Sequence, residues 1–561
     1  ELDFTGLLET VEGSISFNVG EFGDLKGSIK AGGAGSDVIL WAGSALIVRG
    51  DIQADRHIEL ATNSAGLAHT EFSTRMQQSQ GISPPDSFLI NNLLGGLDTG
   101  ELVSVFIDST ASLGVTGVGG VVDRHIHVTG NDHVVVNGTL GDQAGDLAEI
   151  MTRSTSGDLY IAKDSGRLES DASLILQGTN VNLYGVVKNS AATAGDWEID
   201  ITATDTATVT GDLSGHGSIR ITAGSHVAIY DTDVTVLDSG ERFKIDSGGT
   251  VKLGEVGIDF TDPSHPGGKF VNLGSVINAP GQVIIESVGK TTVSTAVAIA
   301  ASADHSQLSI TAGELEIVGS LYGGAGTDGD TVTWTGESAD VTISSSGPIK
   351  FGAFAGGYDD EGDPESRAGS IAASGVVTIT TTATAGVTDL ELDYASSITT
   401  DATAAGALTG SDGPSSIDID TLGDIMINDA LIAAADPDSA VNIDSSSGLI
   451  TLDGIIRADD TVSIRGGSDA NGDGLMVTAL TVEEDAGGHP YTDRDASGEP
   501  GSGEPDFYSD GVTLKVTDAD GFQIDPVTGD YLDDDGVVTA TRVYGGVPIR
   551  LSGGSIETGV E

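Results

Sequence analysis

Asp469, Asn471, Asp473 and Gly474 spell D-x-N-x-D-G. Oxygen ligands at alternate positions, followed by a glycine that allows a sharp turn, form the first half of a calcium loop and converge on a hard cation. A full loop would carry Glu at its twelfth position. Leu480 stands there, with Glu483, Glu484 and Asp485 just beyond. Asp469, Asn471 and Asp473 are therefore the candidate metal ligands, and Ca2+ is the candidate cofactor. Gly32–Leu40 (GGAGSDVIL) fits a second calcium pattern, G-G-x-G-x-D-x-U-x. That pattern bridges tandem turns, and this copy stands alone. Gly323–Thr331 comes near it but places Asp330 at the apolar position.

Other residues invite chemistry less completely. His125-Ile126-His127 has the spacing of a two-histidine metal arm. Strand alternation puts both rings on one solvent face, with His133 nearby, and no third ligand is assigned; a pH-sensitive patch is the alternative reading. His216 lies in Gly215-His216-Gly217 with Arg220 following, an arrangement similar to one in β-helical polygalacturonases. Glycoside hydrolysis needs two carboxylates placed around the scissile bond, and the companion NTD motif is absent. Arg49-Gly50-Asp51 spells the integrin-binding tripeptide, and Asn137-Gly138-Thr139 is a glycosylation sequon; both are short enough to arise by chance. No Walker loop, dinucleotide fingerprint or Ser/His/Asp set is present. No catalytic or cofactor-binding residue is assigned, and the expectation is a protein that is not an enzyme.

The composition narrows the classes further. The 561 residues hold 85 Asp and Glu against 24 Lys and Arg, a net charge of −61. Phosphate backbones and anionic membrane surfaces both require the opposite balance. There is no Cys, which removes disulfides, thiol catalysis and Cys-based zinc sites together. No apolar run approaches the ~18–20 residues of a membrane span. The chain begins at Glu1 without Met, which reads as a processed chain or an internal piece of a longer one.

The elements that would position these residues follow from a repeat, h-x-G-x-h-x-[A/G]-x3-h-x-h, where h is apolar. Val48, Gly50, Ile52, Ala54, Ile58 and Leu60 fit it. So do Val209, Gly211, Leu213, Gly215, Ile219 and Ile221, and Leu452, Gly454, Ile456, Ala458, Val462 and Ile464. Ile277, Ala279, Val283 and Ile285 form a shorter match. Copies led by Leu25, Ile317 and Ile427 keep the frame but lengthen the x3 gap. Subtracting those gaps leaves a base unit of ~20–21 residues, at the short end of solenoid periods. Alternation of period two is strand periodicity, and the glycine and the gap make corners. One unit cannot bury its own apolar face, so successive units must stack. The expected fold is all-β: a parallel β-helix, right-handed by the crossover rule, with about 20–25 residues per coil and loop insertions.

Residues 1–61 and 102–466 read as coils. Residues 62–101 read as an excursion, with a short helix expected over Glu71–Gln80. Residues 467–511 form an acidic loop insertion, and 512–561 a terminal β segment. The insertions Gly32–Asp37, Gly324–Thr331 and Ala434–Ala440 follow the same corner, and Gly356–Ser370 is expected to leave from it too. One edge would then carry a row of acidic loops.

The pattern, most plainly in Asp51–Ala61 (DIQADRHIELA) and Gly448–Gly466 (GLITLDGIIRADDTVSIRG), resembles the filamentous-haemagglutinin type of large bacterial surface adhesin. The resemblance covers most of the chain. The NPNG- and NPNL-type motifs of the secretion domain of that family are absent, so it implies the shaft. The expected function is an extracellular or cell-surface fibre or adhesin shaft, self-assembling and calcium-stabilised, that spans distance and displays acidic loops. Its expected partners are adjoining domains or identical subunits meeting end to end, and a surface glycan or cell receptor, with no nucleic acid and no membrane span. The alternatives are a polysaccharide-active β-helix lyase or hydrolase, and a surface-layer or matrix protein.

Overall fold

The computed structural model describes residues 2–68, 102–116, 124–141, 149–190, 197–259, 269–327, 331–358, 364–382, 388–393, 395–400, 415–434, 439–448, 450–458 and 461–466. Beyond these it describes the backbone of short strands at 475–481, 483–484, 490–491, 512–518, 531–532, 538–540, 549–551 and 555–558. Every described element is a strand. The chain divides into two units, Glu1–Lys252 and Leu253–Glu561, and each is a parallel β-helix.

A coil consists of three strands, here called first, second and third. Ala45–Val48, Ile52–Ala54 and His57–Thr62 are one such set. Each strand pairs in parallel with its counterpart one coil away. In the N-terminal unit Leu25, Val48, Ile107 and Val136 stack in register through the first strands, followed by Ile161, Leu183, Val209 and Ile229. In the C-terminal unit the equivalent column is Val293, Ile317, Phe351, Leu392, Ile427 and Leu452. Val48, Val209 and Leu452 thus hold like places, as the repeat requires. The third strands of the C-terminal unit stack Ile285, Ile310, Ile343, Ile379, Ile419, Ile443 and Ile464. All seven are buried, each stabilising its coil by about 1.5–3 kcal/mol relative to exposure. The tightest coils match the base unit in length: they place Val209 beside Ile229, and Ile443 beside Ile464.

The repeat glycine is set by close approach. A Cβ on Gly50 would overlap the carbonyl oxygen of Gly27 in the preceding coil, and one on Gly211 would overlap that of Gly185. Insertions leave at corners. Among the described residues before Gly466, three are antiparallel hairpins: Glu255–Asp259 with Lys269–Leu273, Ala325–Thr327 with Val332–Trp334, and Ala353–Tyr358 with Pro364–Arg367. Each departs just after a glycine in the left-handed region, Gly254 (φ 75°), Gly324 (φ 86°) and Gly352 (φ 79°), a conformation that glycine adopts without steric cost.

The corner expected for Gly356–Ser370 is corrected here. Ile349–Phe351 is a first strand by its register with Leu315–Ile317, and Ser370–Ala373 is a second strand by its register with Ser320–Gly323. This insertion therefore leaves between first and second strands. The hairpin at Gly324 leaves between second and third, as do Gly32–Asp37 and Ala434–Ala440. The hairpin at Gly254 shares the corner of Gly352, and the two touch through Lys269–Leu273 and Ala353–Tyr358.

Two segments interrupt the coils. Leu67–Ala68 runs antiparallel to the first strand Leu102–Ile107. There the outward side is buried as well: Phe22, Ala45, Ile47, Val103, Phe106 and Val135 form a second apolar cluster, with Leu67 and Tyr160 against it. Glu71–Gln80 lies outside the described residues. After Gly466, Leu475–Thr481 runs antiparallel to the third strand Thr461–Gly466 and pairs with Val512–Asp518. Ile549–Leu551 and Ser555–Thr558 add parallel rungs to Ile450–Ala458. Among the described residues no helix is long and apolar enough to cross a membrane.

Candidate functional site

Alternation along the third strand turns every second side chain outward, so outward residues of successive coils form a grid. In the N-terminal unit one column runs Asp37, His57, His125, Glu149, and the next runs Ile39, Glu59, His127, Met151. The imidazoles of His57 and His125 stack with centroids 3.6 Å apart, and those of His125 and His127 with centroids 3.9 Å apart. His127 Nε2 lies 3.0 Å from Glu149 Oε1. Arg56 donates two hydrogen bonds to Asp37, at 2.9 and 2.6 Å. Burial alone would raise the Asp37 carboxyl. Those bonds and the charge of Arg56, with His57 and His125 nearby, hold it below its ordinary value. Trp41 Nε1 donates to Glu59 Oε1 at 3.1 Å.

Further along the same face, Arg220 donates to both oxygens of Asp200, at 3.1 and 2.6 Å, and these bonds keep it charged. Arg220 and Arg242 flank the Trp197 ring at 5.2 and 4.3 Å from its centroid. At the adjoining corner His216 Nδ1 lies 2.9 Å from Asp238 Oδ1. His216 and Arg220 are thus each tied to a different carboxylate, and the pair does not converge on a common point.

Arg49 is held inside. Its Nε is 3.3 Å from Asp24 Oδ1, with the two side chains 10% and 4% exposed; the Arg49-Gly50-Asp51 tripeptide does not present its guanidinium. Asn137 is buried and pairs through Oδ1 with the Ser165 hydroxyl, so the sequon is closed in the fold. The expectation that His133 shares the face of His125 and His127 is corrected. Asn131 and Asp132 make a turn, and His133 opens a first strand. It is buried there, and its Nδ1 accepts from the Asp158 backbone N–H at 2.9 Å. Asp37, the acidic residue of the Gly32–Leu40 pattern, is committed to Arg56. Asp469, Asn471 and Asp473 lie outside the described residues. Among the described residues no group of three His, Asp or Glu is placed to hold a metal ion.

The sequence reading missed Asp37–Arg56, Trp41–Glu59 and the stacking of His57 on His125. Each of the first two pairs spans just under one base repeat, which is the signal that could have found them. The third pair is separated by the excursion. Comparison with protein-family models, curated proteins and solved structures gave no match.

Proposed function

We propose that the chain is a shaft segment of an extracellular fibre or adhesin, a spacer whose coils hold hairpins and loops away from a surface. The observation that carries this reading is the constancy of the inward columns through coils of very different length. The step from Ile443 to Ile464 is one base repeat, while that from Ile379 to Ile419 is nearly two, yet both keep the same register. Length is absorbed at corners, which suits a scaffold built to span and display. Its partners are adjoining domains or identical subunits. Immunogold electron microscopy on producing cells tests this: label on filaments extending from the surface is expected, and label confined to the cytoplasm or to a flat lattice contradicts it. For the calcium proposal, chelation should lower the melting temperature, and Asp469→Ala with Asp473→Ala should abolish that response. No change on chelation removes calcium.

A second reading is a polysaccharide-active enzyme. It is favoured by His127 standing between Glu59 and Glu149 on an open sheet face where a polymer can lie. Release of reducing or unsaturated ends from a polysaccharide, lost in Glu149→Gln, would establish it.

A further inference from the structure

Trp41 stands on the outward side of the third strand Asp37–Ala42 and is 39% exposed. Its one polar atom, the indole N–H, is engaged by Glu59. The surface it offers is therefore aromatic carbon, fixed in orientation. Its register neighbours are Asn18 and Ala61; Asn18 is exposed, and Ala61 is too small to cover an indole. Thr129 continues the column in the next coil. Trp197 is the contrast: two guanidinium groups flank it, and its ring serves the fold.

We propose that the strip Asn18, Trp41, Ala61 and Thr129 binds an uncharged carbohydrate chain lying across the strands, with Trp41 as its stacking platform. An aromatic plate with an amide one rung before it and a hydroxyl two rungs beyond it matches a sugar chain, whose rings have an apolar C–H face and hydroxyls around their edges. Rungs repeat at ~4.8 Å, about the length of one sugar ring, so successive rungs meet successive residues of the chain. Charge selects the class of sugar. Beside the strip, Arg56 is already engaged by Asp37 and His127 by Glu149, while the Glu59 carboxylate lies against Trp41 itself. Arg153, next in the column after Thr129, is exposed and bounds the strip at that end; a polyanion lying along the strip itself would meet the Glu59 carboxylate, and a net charge of −61 also repels one. The proposal is independent of the shaft reading, which survives its failure.

The test uses the whole chain carrying Trp197→Phe and Trp334→Phe, so that Trp41 is the sole fluorophore among the three tryptophans. It is titrated with cellohexaose, xylohexaose, mannohexaose and chitohexaose, and with polygalacturonate as the charged comparator. At least one neutral hexamer should give a saturable change. In the chain with its natural Trp197 and Trp334, calorimetry should show that affinity falls at least about tenfold in Trp41→Ala and is largely kept in Trp41→Tyr, with circular dichroism confirming that both fold. Three results would overturn the proposal: no response to any hexamer, binding that survives Trp41→Ala, or tighter binding of polygalacturonate. Failure of acrylamide, an uncharged quencher, to quench Trp41 would overturn it too, because the platform would then be covered by protein.

Discussion

On the outward side of the third strands, the N-terminal unit carries Asp37, His57, His125 and Glu149, with Trp41 and Glu59 beside them. In the columns of Glu59 and Trp41 the C-terminal unit carries Ser309 and Thr311, Thr342 and Ser344, Thr378 and Thr380, and then Asp418, Asp420 and Asp444, while Gln307, Asp340 and Ser416 stand where the N-terminal unit has Asp37, His57 and His125. Inside, the two units are nearly interchangeable. Residues 1–252 hold 14 Lys and Arg against 34 Asp and Glu, a net charge of −20; residues 253–561 hold 10 against 51, or −41. The N-terminal unit ties its charges together between coils. On its third-strand face the C-terminal unit carries mostly hydroxyls and then carboxylates, with Asp444 facing Arg465. The inward columns and corner glycines specify the coil, and the outward grid is free to diverge toward whatever each unit meets.

Because the corners are common to both units, breaking them should have the largest effect. Gly211→Val and Gly454→Val should each destabilise their unit by about 3 kcal/mol or more, read by urea unfolding. Tolerance in one unit and not the other would mean that the coils are not built alike. Next come the columns: Ile343→Ala should cost about 2–5 kcal/mol, while its outward neighbour Thr342→Ala should stay within about 0.5 kcal/mol. Thr152 is smaller and opposite in sign. It occupies the inward place held by Val128 and Leu176 in adjacent coils, fully buried, with no partner for its hydroxyl among the described residues. Thr152→Val should stabilise the N-terminal unit by about 1 kcal/mol; destabilisation would show that the hydroxyl is in use.

Acid separates the units most finely. The Asp37 carboxyl titrates below its ordinary value of 3.8. Its contribution is present above that pH and lost as the pH falls below it, so Asp37→Asn should flatten the acid limb of melting temperature against pH. Asp444 is the reverse. Burial and the neighbouring Asp420 raise it above 3.8, against the pull of Arg465. Its ionisation weakens the fold as pH rises, so Asp444→Asn should raise the melting temperature at pH 7 and leave it unchanged at pH 3. Shifts of the same sign in both variants would erase this contrast.

The coil was legible because its signals are local. Val48, Gly50, Ile52 and Ala54 show in one short window both the alternation and the glycine that coil contact demands. The corner of the 353–367 hairpin was not, because Gly352 follows Phe351 directly, where the repeat places its glycine two residues on. His133 was misplaced because the turn at Asn131–Asp132 resets the alternation. The pairs that give the outward face its character, Asp37 with Arg56 and Trp41 with Glu59, depend on coil length more than on residue type, and no single window contains them.

The account stands on the registry between coils, and the absence of cysteine makes that registry directly measurable. Thr202 is paired with Thr222, and Thr342 with Thr378, all on outward positions; the first pair spans one base repeat and the second well over one. Cysteines introduced at either pair should oxidise readily to a disulfide, whereas the diagonal pairs Asp200 with Thr222 and Thr342 with Thr380 should not, their Cα atoms being about 7 Å apart or more. Equal cross-linking of direct and diagonal pairs, or none at the direct ones, would contradict a coil stacked in this register.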